Sequence, residues 1–197
     1  MPSREHALAI FKRYNQSPSL YRHALAVEAV MRYFAAKSGE DVEYWGQVGL
    51  LHDVDYEMYP EEHCRKAVEI LREGGYDDVF IHSVVSHGFG IVNDVAPENY
   101  MEKILFATDE LTGLIAAAVL MLPSKRLDDL KLSSLKKKWK DKRFAAGVNR
   151  GIVLQGCDML GFELEDLMQE TINGMRDARD AECDGHPAED ARGEKTS

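Results

Sequence analysis

The chain has 197 residues, 45% of them hydrophobic and 29% charged, which suits one globular domain with a substantial core. Its formal net charge of −10 argues against general nucleic-acid binding, which normally needs a basic surface. The longest apolar run, Leu114 to Leu122, is too short to span a bilayer, and no apolar signal-peptide core stands at the N-terminus.

Ser17-Pro18 reads as an N-cap followed by proline at the first helical position, where no backbone donor is needed. Leu20, Ala24, Val27, Met31 and Phe34 then recur at helical spacing until Gly39 supplies a stop. Asp41 can cap a second helix running through Trp45, Val48 and Leu51. Val54 to Tyr59 reads as a turn, and Pro60-Glu61-Glu62 opens a third helix that ends at Gly74-Gly75. Asp77 to His87 suits a fourth helix, closed by Gly88 and Gly90. Pro97 and Glu98 begin a long fifth helix through Ile104, Leu105, Leu111 and Ile115, which Pro123-Ser124 breaks. A Lys-rich helix near 133–140, another near 142–160 ending at Gly161, and a last one from Leu164 to about Ala178 follow. No period-two strand and no internal repeat appears. The expected fold is all-α: one helical domain over 1–179, with extra helices over 124–179, and a disordered acidic tail over 180–197 that carries His186.

Cys64, Cys157 and Cys183 show neither CxxC spacing nor an even count, which favours free thiols in a reducing compartment. Buried small hydrophobes, or a tail thiol, account for them. The expected location is cytoplasmic.

Four residues break the local apolar pattern. His23 lies inside the first amphipathic helix, beside the Ala24 position of its buried stripe. His52 and Asp53 follow Val48-Gly49-Leu50-Leu51 at the buried end of a helix. Asp109 stands between Leu105-Phe106-Ala107 and Leu111 in the most apolar helix of the chain. An ionised carboxylate at such a position costs several kcal/mol unless it is paired or binds a metal. Taken singly, each has a blander account: His23 as a satisfied helix histidine, Asp109 as a partner for Arg150, and His52-Asp53 as a common dipeptide. One divalent cation explains all four together. Imidazole nitrogens and carboxylate oxygens suit Mn, Fe, Co, Ni or Zn, and soft thiolates are missing from the set.

The order His23 in Arg-His-Ala-Leu-Ala-Val, then Leu-Leu-His52-Asp53, then Asp109 in Ala-Thr-Asp-Glu-Leu resembles the H…HD…D signature of the HD-domain superfamily. The chain is most similar to small stand-alone HDIG-type phosphohydrolase-like proteins, over roughly residues 15–120. The resemblance implies a helical bundle, with His23, His52, Asp53 and Asp109 as ligands of one divalent ion (Mn, Co, Fe, Ni, Zn or Mg) and Asp53 as a bridge if two bind. The Ile-Gly that follows the HD pair in the subgroup is here Val54-Asp55, so a third acid stands beside the site.

Some HD proteins carry further histidines, as ligands of a second metal or as acid/base groups. His63 reads as a proton donor or, by preference, a helix-surface residue. His82 and His87 lie about 140° apart round a regular helix, so both can hardly face one ion, and His87 before Gly88 suits the cleft better. This is not the full multi-histidine pattern of the cyclic-dinucleotide HD-GYP enzymes.

The implied reaction is attack on a nucleotide or other phosphomonoester. Asp55 or Asp53 would orient the water, and His87 or His63 would protonate the departing oxygen. Lys125 to Arg143 carries nine bases against three acids. Lys136, Lys137, Lys140 and Arg143 are the candidates for a phosphate-attracting rim, against the plainer reading of a solvated face, with Trp139 and Phe144 docking that helix on the body. The expected partner is a small phosphorylated molecule, without a membrane, and a homodimer is compatible with the sequence. Two other classes stay open: a catalytically quiet metal- and nucleotide-binding sensor, which would show no turnover with added Mn or Co, and a di-iron oxygenase, which would consume oxygen.

Overall fold

The structure, a computed structural model, describes residues 1–183, with side chains described as far as Arg176. Every regular element among them is helical, and the lone β-bridge, Phe89 to Asn93, only closes a turn. The all-α expectation holds.

The elements begin with α1 (Arg4–Tyr14), which the periodicity did not suggest. Ser3 caps it, accepting from the His6 N–H, and Ala7 and Phe11 are its buried residues. α2 (Pro18–Ser38) follows and forms the hub of the bundle, packing against α3 (Val42–Leu51), α6 (Tyr100–Leu120) and α9 (Leu164–Cys183). Its apolar stripe of Ala24, Val27, Met31 and Phe34 is buried, as the spacing predicts. The buried Glu28 ties the N-terminal elements together: it accepts from Arg4 of α1 and Arg32 of its own helix, while Arg32 also grips Glu43 of α3.

Between α3 and α6 the chain departs from expectation in one informative place. The predicted third helix is split. Pro60–Glu62 makes a single 3-10 turn, and α4 (Arg65–Glu73) starts only after Cys64, whose φ of 65° interrupts any continuous helix. α5 (Asp78–Val85) runs into a second 3-10 turn, Ser86–Gly88. α6 starts at Tyr100 rather than Pro97, because Asn99 and Glu102 form a reciprocal capping box there. Glu102 is buried and also accepts from Ser83 and His82, so the start of α6 is anchored on α5.

After α6 come α7 (Leu132–Lys140) and α8 (Arg150–Leu160). The segment 142–149, expected to be helical, instead turns under the Arg150 guanidinium, which donates to the carbonyls of Trp139, Asp141 and Phe144. α9 extends to Cys183, beyond the expected end near Ala178. The remainder of the expected acidic tail, from residue 184, lies outside the described residues. No helix among the described residues is long and apolar enough to cross a membrane.

Candidate metal centre

The HD pair reaches its place through close packing of α2 on α3. A Cβ on Gly49 would stand 2.8 Å from Met31 Cγ and 3.0 Å from the Val27 carbonyl, so glycine lets the two helices approach. His52 follows one residue past the end of α3, and its Nδ1 donates to the Gly49 carbonyl at 2.8 Å, which turns Nε2 toward His23 on α2. The loop after the pair is held from the other side. Asn15, at the end of α1, donates to the Val54 carbonyl at 2.8 Å and accepts from the Glu57 N–H at 3.2 Å. Glu57 in turn accepts from the Gln16 and Ser17 N–H groups. So α1, absent from the sequence reading, is part of what fixes the loop carrying Asp53 and Asp55.

Asp109 enters from α6. Its Oδ1 lies 2.9 Å from His23 Nε2 and 3.3 Å from His52 Nε2, and the two histidine Nε2 atoms are 3.2 Å apart. Asp53 Oδ2 completes this group at 3.3 Å from His52 Nε2 and 3.8 Å from His23 Nε2. The four residues singled out in the sequence therefore meet at one point. The alternative partner for Asp109, Arg150, is occupied with backbone carbonyls instead.

The other oxygen of Asp53 faces a second group. Oδ1 is 3.6 Å from both His63 Nε2 and His87 Nε2, which are 3.2 Å from each other. The Cys64 sulfur stands 3.7 Å from His63 Nε2. His87 Nδ1 donates to the Val84 carbonyl at 2.6 Å, and His63 Nδ1 donates to Asp55 Oδ1 at 2.8 Å, so both rings present Nε2 inward. The preferred surface position for His63 is thereby corrected. The break at Cys64 turns the chain and points His63 into the bundle, with its side chain only 11% exposed.

Donor spacing tests whether ions fit. Donors at about 2.0–2.1 Å from a tetrahedral ion stand about 3.3 Å from one another. In the first group the separations run from 2.9 to 3.8 Å, and in the second the nitrogen and oxygen donors lie 3.2 to 3.6 Å apart. His23, His52 and Asp109, and likewise His63, Cys64 and His87, each bring three potential ligand atoms within 4.8 Å of one another, a spacing and donor chemistry that fit a divalent metal, and Asp53 stands between the two groups.

Electrostatics in the protein alone agree with a place built for cations. Burial pushes the His52 imidazole down, but Asp53 and Asp109 beside it prevail and raise it to about 10. Burial likewise lowers His63, while its hydrogen bond to Asp55 and the neighbouring Cys64 carry it to about 9. His87 is held well above its ordinary value against its own burial, by Cys64 and Asp53. Burial alone would raise the two carboxyls; instead His52 and His87 hold Asp53 well below its usual range, and His52 and His23 do the same for Asp109. Cys64 follows the same logic: burial raises the thiol, and His87 and His63 bring it down to about 6. Imidazolium and carboxylate here occupy the positions that a cation and its ligands would share.

Residues 20–114 match the family model of the HD domain. These residues are an HD domain. The superfamily comprises metal-dependent phosphohydrolases, and the matched stretch contains the residues of both groups of donors. Among curated proteins, the chain is 29% identical over 125 residues to "Ribonuclease Y" of Nitratidesulfovibrio vulgaris, covering 60% of this chain and 23% of that protein. It is 28% identical over 105 residues to "Ribonuclease Y" of Staphylococcus epidermidis, covering 51% and 19% respectively. The chain thus spans about a quarter or less of the length of these relatives. No solved structure matches.

The HD domain opens its two donor groups onto a cleft of about 500 Å³, lined by His23, Asp53, His63, His87 and Asp109, with Leu20, Tyr56, Ile91, Val92 and Ile152 among the apolar wall residues. Glu110 also lines it, accepting from the Asn149 N–H at 3.1 Å. Among the described residues, no lysine or arginine is on this wall. Lys136, Lys137 and Lys140 line a separate shallow depression on α7 with Leu132 and Ser133, and Lys136 pairs with Glu165 of α9. Arg143 has a 94% exposed side chain beside Asp141. The expected basic rim is corrected on this point: Leu135 is the buried residue that docks α7, and its lysines are not among the described residues that line the cleft.

Asp55 also departs from its expected role. It is fully buried, Oδ1 accepts from His63 and Oδ2 from the Ala67 N–H at 2.8 Å, so neither oxygen reaches the cleft to orient water. It positions His63. His82 turns away from the site to pair with Glu102, as its place on α5 relative to His87 predicts. The residue that sequence reading passed over is Cys64. The dipeptide His63-Cys64 was its signal, hidden because a single thiol without CxxC spacing reads as a small hydrophobe.

Proposed function

We propose that the protein is a phosphohydrolase with a two-ion centre, acting on a small phosphorylated substrate such as a nucleotide or another phosphomonoester. The observation that carries this reading is Asp53, whose two oxygens face two separate groups of inward-turned imidazoles at the mouth of a cleft. His23, His52, Asp53 and Asp109 would hold one ion; Asp53, His63 and His87 would hold the other. When bound, such ions lower the pKa of coordinated water toward about 7 and neutralise charge on a phosphoryl oxygen.

The chain's own residues do the rest. The backbone carbonyls of Gly49 and Val84 fix the tautomers of His52 and His87, and the carboxylate of Asp55 does this for His63, so each ring keeps a lone pair on Nε2. Those Nε2 atoms are committed to the centre, which removes His63 and His87 as proton donors to a leaving group. Leu20, Ile91, Val92 and Ile152 keep the wall apolar, and Tyr56 stands edge-on to His63 with ring centroids 5.1 Å apart. A cleft of this size, without basic side chains, favours a small substrate over a long polyanion. Because the relatives carry the name ribonuclease, short ribonucleotide phosphodiesters belong in the same screen. The free thiols Cys64 and Cys157 fit a reducing, cytoplasmic setting.

The test is a hydrolysis screen over nucleotides, sugar phosphates and ribodinucleotides with Mn, Co, Fe, Ni, Zn and Mg, using Asp53→Ala as the control. Turnover in the wild type with at least one metal, lost in the variant, is expected. Tight nucleotide binding without turnover in any metal would replace this reading with a sensor module.

A further inference from the structure

We propose that Cys64 is a thiolate ligand of the ion held by His63 and His87, which makes the two metal positions chemically unequal. The inference rests on the two-ion reading above. Cys64 is 2% exposed, and its sulfur meets the Nε2 atoms of both histidines, at 3.7 Å for His63 and 4.0 Å for His87. A tetrahedral ion with nitrogen at about 2.0–2.1 Å and sulfur at about 2.3 Å separates the two donors by about 3.6 Å. The sulfur and the two Nε2 atoms lie within 4.8 Å of one another, the spacing of three ligands around one ion, and Asp53 Oδ1 is 3.6 Å from both nitrogens.

Its place is also built sterically. A Cβ on Gly88 would come within 2.7 Å of the Cys64 sulfur, so the glycine leaves room for it beside the Ser86–Gly88 turn. A cysteine serving only as a small buried hydrophobe would point its sulfur at apolar carbon. Cys157, the other buried free thiol, belongs to no group of metal-ligand atoms among the described residues.

The chemical consequence is selection. The first position offers only nitrogen and oxygen and accepts hard or borderline ions. The second adds sulfur, which favours Zn, Fe(II) or Co over Mg and Mn.

Cobalt(II) is the probe, because a cysteine thiolate bound to it gives a sulfur-to-cobalt charge-transfer band in the near ultraviolet. The wild type should bind two cobalt ions and show the band. The Cys157→Ser/Cys183→Ser double variant should keep it, and Cys64→Ala should lose it. In Cys64→Ala the second cobalt should bind at least about tenfold more weakly, with the first unchanged. Circular dichroism reports folding, and Cys64→Val supplies a second variant of more similar volume. Two bound cobalt ions without the band, or a band that survives in Cys64→Ala, would overturn the ligand assignment and leave the two-ion centre standing. A wild type that retains no cobalt would overturn the centre and this proposal together.

Discussion

Asp53 is the one residue whose removal should empty both metal positions. In Asp53→Asn the shape is kept, but the negative charge facing both groups is lost and one oxygen becomes an amide nitrogen with no lone pair to offer. The distances give the scale. Asp53 Oδ2 is 3.3 Å from His52 Nε2, and Oδ1 is 3.6 Å from His63 and His87, so an ion seated in either group lies within 4 Å of the carboxylate. A unit charge at about 4 Å contributes about 4 kcal/mol at an effective dielectric of about 20, and more for a divalent ion. Each affinity should therefore fall by about a thousandfold or more. Asp109→Asn touches only the first group and His87→Ala only the second, so each should keep one ion.

Elemental analysis after gel filtration reads this as two, zero, one and one ions per chain for the wild type, Asp53→Asn, Asp109→Asn and His87→Ala. Thermal unfolding offers an independent scale. An ion present at about 100 times its Kd stabilises the fold by about 2.7 kcal/mol. For a chain of this length that raises Tm by about 5–10 °C per ion. The wild type should gain about twice the shift of either single-site variant, and Asp53→Asn close to none. If Asp53→Asn keeps one ion at wild-type affinity, or Asp109→Asn empties both positions, the bridging geometry is refuted.

Four further outcomes follow from the same contacts. Without metal, the raised His52 stabilises the fold fully below its ordinary 6.5 and loses that contribution as pH rises through about 10, while the lowered Asp53 and Asp109 contribute above 3.8 and lose theirs as pH falls. Metal-free protein should thus be most stable between about pH 4 and 6.5. Metal affinity should instead climb as pH rises through about 9 and about 10, where the His63 and His52 imidazolium protons leave, and a flat calorimetric titration over that range would contradict this. Asp55→Asn should weaken the second ion by about 10–100-fold and leave the first untouched, as measured by chelator competition, because it frees the His63 ring. Reversing Lys137 and Lys140 to Glu should leave KM for a phosphorylated substrate unchanged, since both line a depression away from the cleft; a salt-sensitive rise in KM would return them to the substrate path.

What the sequence made legible was whatever conflicts with burial. Asp109 inside an apolar helix and His52-Asp53 after Leu50-Leu51 stand out because a buried charge must have a reason, and the structure brings Asp109 and His52 within hydrogen-bonding range of His23, with Asp53 3.8 Å away. The stripes of α2, α3 and α6 were equally plain, because many consecutive side chains repeat the same period. α1 was hidden because only Ala7 and Phe11 are buried on it, too few for a stripe, although Ser3 at its start and Lys12 and Arg13 at its end were available as cap and dipole signals. The inward turn of His63 depends on a left-handed backbone at Cys64, which no side-chain period encodes. The direction of the α7 lysines was likewise open, since it is set by which neighbour covers Leu135 and not by the Lys-rich run itself.

The empty place where a basic rim was expected has its own physical account. Two divalent ions would bring four positive charges to the centre, against one negative charge each from Asp53 and Asp109. Ions at that place would face the cleft directly, so the centre itself can supply the attraction that lysines were expected to give. A basic wall would add charge that the substrate does not need and would compete with the ions for Asp53 and Asp109, in a cleft whose low-dielectric lining of Leu20, Ile91, Val92 and Ile152 strengthens every such interaction. The apolar wall and the imidazole and carboxylate floor are therefore two parts of one arrangement: the floor would hold the cations, and the wall would leave their charge unscreened toward a substrate.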